Sequence, residues 1–229
     1  MLGRLITLVR RGDRPSAILL PGAGGGLNPY LRLASHLGAR YNVHAVRAAG
    51  LVPDEEPERT IAEMADSARN AVAEAGIEPE LVFGWSLGGT IGWELCQRLT
   101  GEPDLVLVDS SPLPRLSTVE GDAQLREFIV GMLGPRPDPA TAERVRTTFD
   151  AQVAALADYR GTGTYAGRVL MLMCLDDDFR DRDAAADRWR ELAPDLVAGT
   201  LAASHYEVFD PDHLPELTAQ LDAFLGVRA

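Results

Sequence analysis

Short apolar runs alternate along this chain with segments in which hydrophobic residues recur every three or four positions. The apolar runs predict buried strands, at 5–9, 17–20, 43–46, 81–83, 105–108, 168–175 and 196–201. The segments with helical spacing predict helices at 28–38, 60–76, 90–99, 183–192 and 213–225. Because strands and helices alternate, we predict an α/β fold with a mostly parallel sheet of about seven strands and helices on both faces. The sequence has no linker and no internal repeat, so 1–229 is predicted to form a single domain.

The alternation stops between about 110 and 163. Pro112 and Pro114 follow the fifth apolar run, and two helical patterns then occupy 119–133 and 139–159 without a strand pattern between them. A helical insertion at this point is predicted to cover the carboxyl edge of the sheet as a lid. The alternative is a packing subdomain without a gating role, and the sequence does not distinguish the two.

The composition narrows the possible functions. The formal net charge of −12 argues against a nucleic-acid partner and against an anionic membrane surface, since both require a basic face. No apolar run is long enough for a membrane helix, and the first residues lack a signal-peptide cleavage site, so we expect a cytoplasmic protein. The only cysteines, Cys96 and Cys174, are predicted to be buried thiols rather than a disulfide. No Cys or His spacing indicates a metal site, and we predict no cofactor.

The candidate chemistry centres on a serine between the fourth apolar run and the helix that follows it. Ser86 stands in a Gly-x-Ser-x-Gly frame, with Gly84 and Gly88 two residues on either side. A tight strand-to-helix turn strains the backbone at its apex, and glycines at these positions keep Cβ atoms out of the crowded corner. The pattern predicts a nucleophile elbow that exposes Ser86 at the carboxyl edge of the sheet, beside a helix N-terminus that favours negative charge. The alternative is a turn of small residues that only packs the helix on the strand.

A serine hydroxyl at neutral pH needs a base, and histidine has a side-chain pKa suited to that role. Of the four histidines, His205 directly follows a predicted strand, at the edge of the sheet that Ser86 is expected to occupy. His36, His44 and His213 lie within or at the start of other predicted elements, where structural or surface roles are expected. We therefore predict that His205 is the base.

The base in turn needs a carboxylate, and two places at the same edge supply one. Asp109 ends the fifth apolar run, whereas Asp176, Asp177 and Asp178 follow the sixth. Both positions preserve the chain order serine, acid, histidine. Three adjacent carboxylates repel one another and are easier to accommodate in a solvated loop or at a helix start. This favours Asp109 without excluding the later acids.

A glycine-rich loop, PGAGGGLNPY, follows the second apolar run. It lacks the glycine spacing of a dinucleotide or triphosphate loop. Its glycines instead let the backbone approach another group closely with N–H groups exposed. A developing oxyanion needs two backbone donors, one from the residue after the serine and one from a loop after an early strand. Leu87 and Ala23 occupy those positions and are predicted to form the oxyanion hole.

Taken together, these segments resemble the thioesterase domains of nonribosomal peptide and polyketide synthases, within the α/β-hydrolase superfamily. The resemblance extends over 10–225 apart from the lid, and the segments that carry it are LLPGAGGGLNPY, GWSLGGTIGWEL, LVLVDSSP, YAGRVLMLM and SHYEVF.

The resemblance implies a substrate, a partner and a role for each site residue. In that family a serine attacks an acyl thioester on the phosphopantetheine arm of an acyl or peptidyl carrier protein. Water, or an amine or hydroxyl of the acyl chain, then releases the acyl group. By position the resemblance assigns Ser86 as nucleophile, His205 as base and Asp109 as acid, because chain-terminating members keep their Asp in a VD[SV] sequence at this point.

Three alternatives remain. Standalone editing thioesterases, called type II, are similar too, but they place the acid after the next strand, where this chain has DDD, and usually carry a Ser-Gly-Arg segment that is missing here. A small-molecule carboxylesterase would often have an HGGG-type loop, and PGAGGG stands in its place. A hydrolase-fold binding protein would usually have lost one member of the Ser, Asp and His set. For an enzyme, part of the apolar surface of the lid helices is predicted to face a pocket and select the acyl group, with Phe128 and Met132 as the positions to test. The residues that provide this surface are Leu116, Leu125, Phe128, Ile129, Met132, Leu133, Phe149 and Leu156.

Overall fold

The computed structural model describes residues 3–175 and 182–226, and within these ranges seven strands form one sheet. The strands are β1 (Leu5–Val9), β2 (Ser16–Leu20), β3 (Asn42–Val46), β4 (Pro79–Trp85), β5 (Asp104–Val108), β6 (Val169–Cys174) and β7 (Leu196–Leu201). Their order across the sheet is β1-β3-β2-β4-β5-β6-β7. β1 pairs antiparallel with β3, and the other pairings are parallel. The predicted mostly parallel sheet is confirmed.

Helices connect these strands in the described part of the chain. They are α1 (Leu31–Leu37), α2 (Ile61–Glu74), α3 (Leu87–Cys96), α4 (Val119–Gly131), α5 (Pro139–Asp158), α6 (Arg182–Leu192) and α7 (Leu214–Gly226). A short 3-10 turn, Asn28–Tyr30, precedes α1. Among the residues described, no helix is both long enough and apolar enough to cross a membrane.

The two faces of the sheet carry separate hydrophobic cores, because successive side chains of a strand point to opposite sides. In β5, Leu105 belongs to the core that contains Trp93 of α3 and Trp189 of α6. The next residue, Val106, belongs to the core formed with α1 and α7. Fully burying one such side chain contributes about 1.5–3 kcal/mol. The continuous apolar run of β5 is therefore stable only between two helical layers.

β4 lies between β2 and β5, and the direction of the connections reverses at this point. The chain leaves β2 towards β3 on one side, whereas the later strands β5, β6 and β7 are added on the other. In open α/β sheets, a crevice forms outside the carboxyl ends of the strands at such a reversal. The loops after β2, β4 and β5 carry Ala23, Ser86 and Asp109, and they leave the sheet side by side.

The insertion between β5 and β6 consists of α4 and α5, with no strand between them. The carboxylate of Asp138 accepts the backbone N–H of Thr141 (N···O 2.8 Å) and caps the start of α5. A small apolar core joins the two helices through Val130, Ala142 and Val145. The predicted helical insertion is therefore present, and its gating role remains a prediction.

Candidate active site

Ser86 lies at the turn between β4 and α3, with a backbone φ of 56°. A Cβ at Gly84 would collide with the carbonyl oxygen of Gly88, and a Cβ at Gly88 would collide with the carbonyl oxygen of Leu20. Only glycine fits at these two positions, because the displaced neighbours would be backbone atoms rather than flexible side chains. The Gly-x-Ser-x-Gly spacing therefore has a steric cause in this fold.

Hydrogen bonds from the neighbouring strand hold the turn in this conformation. The backbone N–H of Ser86 donates to the carbonyl oxygen of Val108 (N···O 2.8 Å). The buried hydroxyl of Ser110 donates to the carbonyl oxygen of Ser86 (O···O 2.7 Å). A Cβ at Gly89 would collide with that same hydroxyl, so a side chain at this position would displace the group that holds the turn. Sequence reasoning missed Ser110, although its position directly after Asp109 was a possible signal.

Asp109 and His205 are brought together across 96 residues of chain. Oδ2 of Asp109 lies 2.6 Å from Nδ1 of His205. The other carboxylate oxygen, Oδ1, accepts the backbone N–H of Cys174 (N···O 2.9 Å). The Asp109 side chain is buried, and its backbone has a φ of 46°. The carboxylate is therefore fixed from both sides, with one oxygen held by β6 and the other directed at the imidazole.

The His205 ring is also oriented by two aromatic neighbours. The Trp85 ring lies 4.8 Å from it between centroids, and the indole N–H of Trp85 donates to the carbonyl oxygen of His205 (N···O 3.1 Å). Tyr206 packs edge-on against the imidazole, with centroids 4.8 Å apart. Since Nδ1 faces a carboxylate, a neutral ring carries its proton on Nδ1 and its acceptor lone pair on Nε2.

The other histidines lie away from this cluster. Nε2 of His36 pairs with Oδ1 of Asp222 at 3.2 Å, near the surface. Nδ1 of His44 lies 3.0 Å from the hydroxyl of Thr7, and burial lowers the pKa of His44, with Arg10 acting in the same direction. The later candidate acids, 176–178, lie outside the described residues.

Ala23 belongs to the glycine-rich loop after β2 and, unlike its glycine neighbours on either side, has no acceptor for its backbone N–H among the described residues. The N–H groups of Gly22, Gly24 and Gly25 have acceptors, which are the Tyr30 hydroxyl, Gln152 and a backbone carbonyl. In the described part of the chain, the N–H groups of Ala23 and Leu87 are not paired with any acceptor. Both residues line the same cavity as Ser86. Two backbone donors are thus available to a negative oxygen at the two positions that the sequence predicted.

The cavity has a volume of about 780 Å³ and extends from Ser86 to the lid. Its lining contains all five predicted site residues, which are Ala23, Ser86, Leu87, Asp109 and His205. The lid contributes apolar side chains, including those of Leu113, Leu125, Ile129, Phe149, Val153 and Leu156. The site therefore combines a polar centre with a largely apolar chamber, which is the usual composition of a small-molecule pocket.

Part of the apolar surface of the lid faces the cavity, as predicted, through Leu116, Leu125, Ile129, Phe149 and Leu156. The two positions chosen to test this, Phe128 and Met132, do not. Their side chains are half exposed and do not belong to its lining. On α4 the cavity side is formed by Leu125 and Ile129, which are four residues apart and share a face. Phe128 lies on the adjacent face and packs edge-on against Tyr206, with centroids 5.1 Å apart.

Among the residues described, no group of three or more His, Cys, Asp or Glu side chains is arranged to hold a metal ion. Cys96 and Cys174 are buried free thiols, as predicted. The groups that line the cavity include the hydroxyl of Ser86, the imidazole of His205 paired with the carboxylate of Asp109, and the backbone donors of Ala23 and Leu87.

The chain is similar to known proteins over most of its length. A family model for the thioesterase domain matches residues 16–225. The dimodular nonribosomal peptide synthase of Bacillus subtilis (strain 168) is 28% identical over 157 residues, and this match covers 66% of the chain but only 7% of that much longer protein.

Solved structures show similar folds. The NocB thioesterase domain, in covalent complex with a fluorophosphonate nocardicin G analogue, has a TM-score of 0.78 and 27% identity, over 97% of this chain and 99% of that one. YbtT, a type II thioesterase from the yersiniabactin NRPS/PKS biosynthetic pathway, has a TM-score of 0.71 and 19% identity, over 97% and 98% of the two chains. The second similarity concerns the fold alone.

Proposed function

This chain belongs to the thioesterase domain family, and from that premise we propose that it is a serine hydrolase that releases a peptidyl or polyketide acyl chain from a carrier protein. The observation that carries the proposal is the contact between Asp109 and His205 in the cavity that Ser86 lines. In this proposal the partner is an acyl or peptidyl carrier protein of the cytoplasm. Its phosphopantetheine arm delivers the thioester, so the enzyme uses no cofactor of its own.

In the first step, Oγ of Ser86 attacks the thioester carbonyl carbon while Nε2 of His205 takes the hydroxyl proton. Asp109 accepts the Nδ1–H of His205 and stabilises the imidazolium that forms. The tetrahedral intermediate then collapses, its C–S bond breaks, and the departing sulfur takes the proton from Nε2. The carrier protein leaves as a free thiol, and the acyl group remains as an ester on Ser86.

The second step uses the same groups in the same order. Water, or an amine or hydroxyl of the acyl chain, gives its proton to Nε2 of His205 and attacks the ester carbonyl. The intermediate then expels Oγ of Ser86, which takes the proton back. Attack by water gives a free acid, whereas attack by an internal group gives a ring. Both outcomes are consistent with the same cluster.

Each tetrahedral intermediate carries a negative oxygen that needs donors. The unpaired N–H groups of Ala23 and Leu87 support an oxyanion hole at this place, and the positive end of α3 lies beside it. Removing one such donor typically costs about 10²–10³ in kcat, which corresponds to about 2.7–4 kcal/mol. The two backbone donors therefore account for a substantial part of the proposed rate enhancement.

The lid lining indicates an acyl group that is largely apolar and uncharged. Arg115 is a cation of the lining, and its guanidinium pairs with Asp122 (Nη1···Oδ1 2.6 Å). That pair leaves little net charge to attract an acidic acyl group. The aliphatic side chains of Leu125 and Ile129, together with the ring of Phe149, favour hydrocarbon or aromatic groups instead.

The position of the candidate acid in the chain favours chain release over editing. Asp109 follows β5, the strand after the elbow, which is where the sequence resemblance assigns the acid of chain-terminating members. NocB, at 27% identity, is described as a thioesterase domain. A type II activity remains the alternative, and a small-molecule carboxylesterase is a second one.

The proposal is tested with three substrates and one substitution. Acyl-N-acetylcysteamine thioesters, matched nitrophenyl esters and a fluorophosphonate probe are offered to the wild type and to Ser86→Ala. We expect thioester turnover, labelling of Ser86 in the peptide map, and a loss of about 10⁶ in kcat for Ser86→Ala without loss of fold. Ser117→Ala, which changes another serine of the cavity lining, is the matched control and should keep activity.

Two results would contradict the proposal. Unimpaired turnover by Ser86→Ala, or a label on another residue, would remove the acyl-enzyme. A strong preference for nitrophenyl esters over thioesters would support the carboxylesterase alternative instead.

A further inference from the structure

The lid helix α5 makes a direct polar contact with the glycine-rich loop after β2. Oε1 of Gln152 accepts the backbone N–H of Gly24, with an N···O distance of 2.8 Å and 128 residues of chain between them. The Gln152 side chain is 3% exposed and does not belong to the lining of the Ser86 cavity. It is therefore placed to act on the loop rather than on a substrate.

The loop needs such an anchor because of its composition. Gly24 and Gly25 have φ values of 86° and 69°, and glycine loses more conformational freedom on ordering than any other residue. Two side chains fix the loop on either side of Ala23. The Tyr30 hydroxyl accepts the N–H of Gly22 (N···O 3.1 Å), and Gln152 accepts the N–H of Gly24. The unpaired N–H of Ala23 lies between these two held groups.

The position of that N–H matters for an oxyanion hole. A donor is effective when it lies about 2.7–3.1 Å from the oxyanion, and a misplacement of about 1 Å can cost about 10²-fold in rate. A loop that moves when one anchor is lost would still contain the Ala23 donor but would seldom present it correctly. Catalysis would then fall while the substrate still enters the lid cavity.

We propose that Gln152 is a positioning residue of the oxyanion hole, which holds the Gly24 peptide so that the Ala23 N–H faces the intermediate. This inference rests on the proposed acyl-enzyme function. The other lid helix, α4, also contacts this loop, because a Cβ at Gly24 would collide with the side chain of Ile129. Both lid helices therefore pack on the loop that supplies the donor.

A packing role alone would not require an amide at this position. A buried carbonyl acceptor costs about 1–3 kcal/mol unless it is hydrogen-bonded, so an aliphatic residue would fill the space with less risk to stability. Thr148, one turn earlier on α5, provides the comparison. It is 1% exposed, and its hydroxyl donates to the carbonyl oxygen of Ala49 (O···O 3.4 Å), away from the Ala23 donor.

The test compares Gln152→Met with the matched control Thr148→Val. Each substitution removes one buried hydrogen bond from α5, and only the first releases the glycine-rich loop. For Gln152→Met we expect kcat on an acyl-N-acetylcysteamine thioester to fall about 10- to 100-fold, with KM within about threefold of wild type. The rate of fluorophosphonate labelling should fall in parallel, because the phosphoryl oxygen occupies the same donors. Thr148→Val should keep both rates within about threefold.

The outcomes separate this inference from the proposed function. Wild-type protein that neither cleaves thioesters nor reacts with the fluorophosphonate would overturn the proposed function and this inference with it. Active wild type with unchanged kcat in Gln152→Met would overturn only the inference, as would an equal loss of kcat in Thr148→Val. If Gln152→Met does not fold, the same measurements on Gln152→Asn test the inference. Asn keeps a buried amide, but its side chain is one methylene too short to reach the N–H of Gly24.

Discussion

Replacing Asp109 by Asn tests the candidate acid, and the structure predicts how the new amide would orient. Oδ1 of Asp109 accepts the N–H of Cys174, while Oδ2 faces Nδ1 of His205. An Asn side chain has only one oxygen, and the buried N–H of Cys174 requires an acceptor. The amide oxygen should therefore take the Cys174 side, which directs the NH₂ group at Nδ1 of His205.

That orientation changes the tautomer of the imidazole. Nδ1 must accept a hydrogen bond from the NH₂ group, so the ring proton moves to Nε2, the atom that has to take the Ser86 proton. The opposite amide orientation would set the NH₂ group against the N–H of Cys174 and leave a buried donor unsatisfied, at a cost of about 1–3 kcal/mol. The same substitution in a Ser-His-Asp triad lowers kcat by about 10⁴ with the geometry intact. We expect a loss of that size for Asp109→Asn.

The assay is steady-state cleavage of an acyl-N-acetylcysteamine thioester, with thermal unfolding as the check on folding. The controls are single Asn substitutions at Asp176, Asp177 and Asp178, each expected to cost about tenfold or less. The reverse ranking would refute the reasoning. It would assign the acid to one of these three positions and favour the editing thioesterases as the functional relatives.

Two further predictions concern the pocket and the stability of the fold. Ile129→Phe should narrow the cavity and lower kcat/KM for long acyl thioesters by about 10-fold relative to short ones. Met132→Phe, at the residue that follows α4 and lies outside the cavity lining, should leave the ranking of acyl substrates unchanged. Equal effects of the two substitutions would contradict the assigned faces. Burial lowers the folded-state pKa of His44 below its usual 6.5, so between these two values the unfolded chain binds more protons. The free energy of unfolding, measured with urea, should therefore fall as the pH drops through 6.5. His44→Gln should make that decline smaller. A decline of equal size in the variant would rule out His44 as its source.

The sheet and the positions of the candidate site could be predicted from the sequence because both depend on short-range patterns. The apolar runs of β3, β5 and β6 are fully buried, and those of β1 and β7 at the edges of the sheet are partly exposed. The lengths and spacing of the runs leave few topologies open. Once the strands are parallel, the residues directly after them meet at one edge. Asp109 and His205 were predicted to lie there for that reason, and their side chains lie 2.6 Å apart between Oδ2 and Nδ1.

The contacts of the lid could not be predicted in the same way. α4 and the residue that follows it carry apolar side chains on two adjacent faces, Leu125 with Ile129 and Phe128 with Met132. The helical period alone does not say which pair turns inward. The packing of α4 against the rest of the molecule decides this. Gln152 was missed for a related reason, since its partner Gly24 is 128 residues away and nothing local marks the pair.

Backbone conformation gives an argument for the site that does not depend on any family resemblance. Among the described residues, the non-glycine residues with positive φ are Asp54, Ser86 and Asp109. Each such position costs on the order of 1–3 kcal/mol and persists only where its surroundings hold it. Two of them are held by hydrogen bonds to neighbouring strands. The N–H of Ser86 donates to the carbonyl oxygen of Val108, and the N–H of Asp109 donates to the carbonyl oxygen of Leu172. Strain of this kind concentrates at functional sites, and here two strained residues at the ends of adjacent strands line the cavity that His205 also lines.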